Sequence, residues 1–226
     1  TWHMVLIKSI SGIRGTIGGK TGDNLTPLDI VKFTAAFGSF VKMKYEGKKL
    51  QFVVGRDARI SGEMVEQIVI STLTAVGIDV INTGLSTTPT VEMAVINSGS
   101  QGGIIITASH NPKEWNALKL LNEKGEFISG DEGVQVLEMA EKEDFNFVDV
   151  HELGKITFDK STIDQHIEQI LKLDLVDREA ISQADFKIIV DSVNSTGGIS
   201  IPRLLKAFGV EKLTEVFCQP TGNFPH

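Results

Sequence analysis

Ser109, His110, Asn111, Asn116 and Lys119 put a hydroxyl, an imidazole, two amides and an ammonium into one short stretch. A serine hydroxyl is a weak nucleophile by itself. Held on a stiff turn beside a lysine, it can act as a nucleophile or as a phosphate carrier, provided that the developing charge is neutralised. Lys119 can supply that charge or, with a depressed pKa, relay a proton. Arg14, in Gly12–Ile13–Arg14–Gly15, offers a planar fork for phosphate, and its glycines let backbone approach a ligand. Arg59 and the helix start that follows it could support an anion or simply pin a turn. Each residue has a plainer use: Ser109 as a turn cap, Lys119 as a solvated strand-edge lysine, Arg14 in an ion pair. His110 is a catalytic candidate, although adjacency does not aim its ring at the serine, and it could instead shape the loop. Thr107 and Asn111 stand where the nucleophile elbow of a serine hydrolase needs glycines, so that chemistry is not favoured.

The elements that must position these groups follow from local pattern. The apolar run Gly102–Ile106 reads as a buried strand ended by a turn at Asn111–Pro112, which puts Ser109 at a strand's carboxyl end, where open α/β sheets bind ligands. Leu25–Thr26–Pro27 opens a helix with Thr26 as its cap, and Ile30, Phe33, Phe37, Phe40 and Val41 form its core stripe. Leu50–Gly55 and Ile78–Asn82 read as strands flanking a helix capped by Ser61 and stopped at Gly77. Leu85–Pro89 reads as a loop and Thr90–Asn97 as a helix. Ala117–Leu121 turns back into Glu126–Ile128, implying an antiparallel pair in a mixed sheet, and Asp131–Lys142 is an amphipathic helix. A boundary is expected near 145–160. Beyond it Ile163–Leu173 and Ile199–Phe208 read as helices, and Phe186–Asp191 and Leu213–Cys218 as strands. The series strand, polar turn, helix, glycine, strand occurs from Phe52 and again from Phe186, a weak internal repeat. The expected fold is α/β: two consecutive three-layer α/β/α domains with mixed sheets, residues 1–150 and 155–226, the second incomplete.

The pattern Thr107–Ala108–Ser109–His110–Asn111–Pro112, with Asn116 and Lys119 in register, closely resembles the phosphoserine loop of the α-D-phosphohexomutases. Ser11–Gly12–Ile13–Arg14–Gly15 resembles that family's amino-terminal loop, and Gly55–Arg56–Asp57–Ala58–Arg59–Ile60–Ser61 another of its segments; the resemblance runs from about Val5 to the end. It implies a serine that is phosphorylated at rest, gives its phosphate to a hexose phosphate, and recovers the other phosphate from the hexose 1,6-bisphosphate so formed. On that resemblance Ser109 is the carrier, Lys119 the general acid/base, and Arg14, Asn111, Asn116 and Arg59 bind substrate or phosphate. It also implies Mg²⁺, held by the Ser109 phosphate and by an aspartate loop, D-x-D-x-D-R, that these residues lack. The sugar-recognition loop and a carboxyl-terminal phosphate-binding domain are expected elsewhere in the same polypeptide, and the 226 residues alone are expected to be inactive. Ala117 replaces a glycine common at that place in the family and leaves less room near the ligand.

Composition narrows the partners. The chain has 226 residues, 41% hydrophobic and 23% charged, with a formal net charge of −7. That balance argues against a nucleic-acid or anionic-membrane surface, yet leaves room for a local phosphate pocket. No apolar run approaches the ~20 residues of a membrane span, and no signal peptide is evident. Thr1–Trp2–His3 read as a remnant ahead of a native start at Met4. Cys218 is the single cysteine, which suits a reducing cytoplasm. The alternative function is a non-catalytic module that binds phosphosugars.

Overall fold

The computed structural model describes residues 6–9 and 12–226; Ser11 and the segment Thr1–Val5 lie outside the described residues. In chain order the elements are β1 (Leu6–Ser9), β2 (Gly12–Thr16), α1 (Pro27–Lys44), β3 (Gln51–Arg56), α2 (Gly62–Ala75), β4 (Asp79–Leu85), α3 (Thr88–Ser98), β5 (Gly102–Ile106) and β6 (Trp115–Leu121). They continue with α4 (Gly130–Lys142), β7 (Ile156–Phe158), α5 (Thr162–Leu171), α6 (Arg178–Gln183), β8 (Lys187–Asp191), α7 (Gly197–Ala207) and β9 (Lys212–Val216).

Seven strands form one mixed sheet in the order β1-β2-β6-β5-β3-β4-β7. β3, β4, β5 and β7 run parallel, and β6 runs antiparallel to both β5 and β2. Period-two alternation along the strands feeds two cores. Phe52, Val54, Ile104, Ile106, Leu118 and Leu120 face α1, α2 and α4, whereas Val53, Ile105 and Leu121 meet Val91, Ala94 and Val95 of α3. The result is the expected three-layer α/β/α sandwich. All five residues of the predicted α1 stripe are buried in the larger core. The buried Asp29 carboxylate closes the start of α1 by accepting from the Thr26 and Gly22 amides, which ties the helix to the preceding loop.

Several expectations change. Gly12–Gly15, read as a loop, lies in β2, because Ile13 packs into the core while Gly12, at φ +115°, passes beneath the Leu118 carbonyl, where a Cβ would come within 2.3 Å. Leu85–Pro89 is not a loop throughout: β4 reaches Leu85, Thr87 caps α3, and Pro89 occupies its first turn. The Ser61 hydroxyl does not cap α2; it accepts from Asn116 Nδ2 at 2.9 Å. Glu126–Ile128 does turn back antiparallel on β6, through the bridge Leu121↔Phe127 and the amides of Asn122 and Ile128 on the Glu126 and Leu120 carbonyls, but it forms no strand, and the antiparallel ladders of β6 are with β5 and β2. The stretch expected to separate the modules contains β7, which joins the first sheet beside β4. The helix α6 carries no clear periodicity in sequence.

The second module contributes, among the described residues, two parallel strands, β8 and β9, connected through α7. This is the same strand–helix–parallel-strand unit as β3–α2–β4, as the internal repeat suggests. Its α5 docks on α3, where Asn97 and Gln169 exchange two side-chain hydrogen bonds of 3.0 and 2.8 Å. Among the described residues, no helix is long and apolar enough to cross a membrane.

Candidate functional site

The serine loop begins where β5 ends. The Asp57 amide donates to the Ile106 carbonyl at 3.0 Å and the Thr107 amide to the Ala117 carbonyl at 3.2 Å, so three strand ends converge beneath it. The Asn111 amide closes a turn on the Ala108 carbonyl at 3.0 Å. Within that turn Ser109 is exposed and adopts φ +57°, an uncommon conformation for a residue with a side chain. The hydroxyl is thus carried out from the carboxyl end of a buried strand. His110 beside it is also exposed.

Two of the expected phosphate or substrate ligands prove to be internal fastenings. The Arg59 side chain is wholly inaccessible. Nε donates to Asp57 Oδ2 at 3.2 Å, Nη1 to the carbonyls of Pro112 and Trp115, and Nη2 to those of Ser109 and Asn111 at 2.9 and 2.8 Å. These bonds occupy all five guanidinium N–H groups, leaving none for a phosphate. Burial lowers its pKa, opposed by Asp57. Asn116 is likewise fully buried, with Nδ2 on Ser61 Oγ and Oδ1 on the Ala117 amide. It bolts the start of β6 to the start of α2 and does not reach a ligand.

Arg14 and Lys119 are different. Arg14 pairs with Ala117 across the β2–β6 ladder, so it shares a sheet face with Lys119, two residues on. Among the described residues Arg14 makes no ion pair, and its Nε is buried without a partner. Lys119 is half-buried, with Nζ 5.8 Å from the centre of the Phe127 ring. Burial pulls its pKa below the usual 10.5; Arg14 and Arg59 add to that, while Asp57 and Glu92 oppose it. Two cations that repel each other and find so few anionic partners can receive a phosphate. Lys119 and Ser109 share no hydrogen bond in this arrangement. The Ala117 methyl fits because the residue lies within β6, in extended backbone.

A crevice of about 580 Å³ opens between the serine loop and the second module. Asp57, Ser109, His110 and Asn111 line one side, and Val193, Ser195, Phe224 and His226 the other. The Asn111 Oδ1 atom is buried with no partner, so this amide retains an acceptor. The tail is fastened to the loop between β8 and α7 through Gly222 N–H on the Asn194 carbonyl and Asn194 Nδ2 on the Asn223 carbonyl. It also sets the Phe224 ring 5.2 Å from the Arg59 guanidinium carbon. Phe224 and Thr107 escape sequence reasoning, since neither residue type announces chemistry. No group of three or more His, Cys, Asp or Glu converges among the described residues. These residues therefore do not fit a metal by themselves.

Comparison with known proteins agrees with this geometry. A family profile described as phosphoglucomutase/phosphomannomutase, alpha/beta/alpha domain I, matches residues 6–147. A phosphoglucomutase/phosphomannomutase of Thermococcus kodakarensis is 37% identical over 213 residues, covering 93% of this chain and 46% of that protein. A phosphoglucosamine/phosphogalactosamine mutase of Sulfurisphaera tokodaii is 32% identical over 204 residues, with 90% and 42% covered. The crystal structure of a phosphoglucomutase/phosphomannomutase family protein from Burkholderia thailandensis superposes with a TM-score of 0.78 at 29% identity, covering 98% of this chain and 46% of that one. The chain thus spans about half the length of the relatives it matches. With a family profile matched over residues 6–147 and relatives 32% and 37% identical across at least 90% of its length, the chain belongs to the phosphoglucomutase/phosphomannomutase family.

Proposed function

We propose that this chain is the serine-bearing part of a phosphosugar mutase that moves a phosphoryl group between the 1- and 6-oxygens of a hexose. The observation that carries this reading is the exposed, left-handed Ser109 at the mouth of the crevice. In the forward half-reaction the bond from phosphorus to Ser109 Oγ breaks and a bond to a hexose hydroxyl oxygen forms. The acceptor is a hexose phosphate: its hydroxyl proton leaves to a base, a proton is delivered to the departing Ser109 Oγ, and the product is a hexose 1,6-bisphosphate. The reverse half-reaction returns the other phosphate to Ser109 after the sugar has turned. Lys119 suits the proton relay, because its lowered pKa makes the neutral amine more accessible. Arg14, with an unpartnered Nε, suits the phosphate, and His110 and Asn111 flank the serine.

The substrate class is phosphoglucose, phosphomannose or phosphoglucosamine, the names that its relatives carry. A cytoplasmic site of action fits the single cysteine. Intact-mass analysis of the complete polypeptide after exposure to glucose 1,6-bisphosphate should find one phosphate on Ser109, and Ser109→Ala should abolish both that mass and turnover. A fully active alanine variant would end the proposal. Binding of sugar phosphate with no covalent phosphate would instead favour a non-catalytic module. We propose magnesium only for the complete polypeptide, where a phosphate on Ser109 would be one ligand and the carboxylate ligands would come from outside these 226 residues. Chelation should then stop turnover, added Mg²⁺ should restore it, and the 226 residues alone should turn over no glucose 1-phosphate.

A further inference from the structure

Asp57 closes β3 at the bottom of the serine loop and lines the crevice with Ser109. Its Oδ2 accepts from Thr107 Oγ1 at 2.6 Å and from Arg59 Nε at 3.2 Å, and its Oδ1 accepts the Arg59 amide at 3.0 Å. Thr107 Oγ1 in turn accepts the Ser109 amide at 3.2 Å, and Arg59 Nη2 donates to the Ser109 carbonyl at 2.9 Å. Both backbone polar groups of the one left-handed residue in the loop therefore lead, through a single intermediate side chain each, to one carboxylate. The side-chain hydroxyl of Ser109 takes no part in this network, and the residue lines the crevice. We propose that Asp57 is the positioning residue of the serine loop: acting through Thr107 and Arg59, it holds Ser109 in the backbone conformation from which phosphate is exchanged. This inference rests on reading Ser109 as the carrier.

The chemistry makes the device specific. An amide at position 57 keeps the shape of the carboxylate but puts a donor against groups that already donate, so the network is mismatched without a steric change. Arg59 cannot be replaced by lysine, because an ammonium has three donors and no planar fork to reach four carbonyls. Asp57 has a second effect that a purely structural residue would lack. The charged groups facing Lys119 are Asp57 at the end of β3, Glu92 on α3, Arg14 on β2 and Arg59. Of the two anions, Asp57 is the one that also holds the serine.

The test uses the complete polypeptide with glucose 1,6-bisphosphate as phosphate donor and glucose 1-phosphate as substrate. Asp57→Asn and the near-isosteric Thr107→Val should each slow phosphate incorporation on Ser109 and kcat by about 10- to 100-fold, with KM within about threefold. Thr107→Ser, which keeps the oxygen, should restore the rate. The ionisation assigned to Lys119 in the pH–rate profile should move to lower pH in Asp57→Asn and stay in place in Thr107→Val, which keeps the carboxylate. If Asp57→Asn does not fold, the Thr107→Val and Thr107→Ser pair decides. Folded Thr107→Val or Asp57→Asn that loads phosphate at the wild-type rate overturns the inference and leaves the carrier reading intact. Wild-type protein that takes no phosphate on Ser109 overturns both.

Discussion

Arg14 and Arg59 carry the same side chain and are used in opposite ways. Arg59 has five donors on five protein acceptors and no accessible side-chain surface. Removing it orphans four carbonyls and strips Asp57 of its counter-charge, so Arg59→Ala is expected to destabilise the fold by about 3 kcal/mol or more. Arg14 has a buried Nε with no acceptor, so Arg14→Ala removes no protein hydrogen bond or ion pair among the described residues and should change the denaturation midpoint far less than Arg59→Ala. Its effect belongs to the ligand: hexose-phosphate affinity should fall about tenfold, the loss of one charge-assisted hydrogen bond. Denaturant unfolding and phosphosugar titration of both variants check the contrast. Equal loss of stability in the two would refute it.

At the scale of elements, the joint between α3 and α5 makes a pH-dependent prediction. His166 Nδ1 lies 3.0 Å from Oγ1 of the buried Thr90, which also pairs with Thr87 at 2.8 Å. Burial lowers the His166 pKa below the usual 6.5. The unfolded chain then binds the proton more readily than the folded one just below 6.5. Stability should therefore rise with pH through that window and be lost on acidification. Urea midpoints measured between about pH 5 and 7.5 should climb more steeply for the wild type than for His166→Gln; identical slopes would exclude a role for this histidine. The prediction is local to the docking of α5, since the seven-stranded sheet does not involve it.

At the scale of the molecule, the tail 219–226 joins the second module to the turn of the first that carries Ala58 and Arg59. Gly222 takes φ +74° and lies so near the Ala58 carbonyl that a Cβ would approach to 2.1 Å. Gly222→Ala should therefore lift the tail from the turn that carries Arg59, separating Phe224 from the guanidinium. Amide exchange over residues 219–224 is expected to quicken by about tenfold, with β3–β6 unaffected; unchanged exchange would show that the tail seats without this contact. β7 strengthens the same connection from the opposite edge, because the segment that leaves the first sandwich is itself a strand of its sheet.

Much of this organisation is written locally. The stripe from Ile30 to Val41 predicts α1 and its buried face, the β-branched run before Ser109 predicts β5, and Thr–Pro and glycine punctuation marks the ends of several helices, because such patterns concern neighbours within a few residues. The pairing of serine, turn and lysine is equally local, and so the family was legible. The strand β2 was not, since its glycines hide the alternation and its reason for being extended is Leu118 on β6. β7 was not, since it has three exposed residues at a sheet edge. The division of labour between Arg14 and Arg59 was also beyond reach: the partners of Arg59 are main-chain carbonyls 50 to 56 positions away, and a carbonyl has no residue-type signature. The sequence by itself determined the sandwich, the strand-end turn that carries Ser109, and the family. The tertiary structure decided which polar side chains are left free for a ligand, because hydrogen-bond satisfaction depends on groups brought together only by folding.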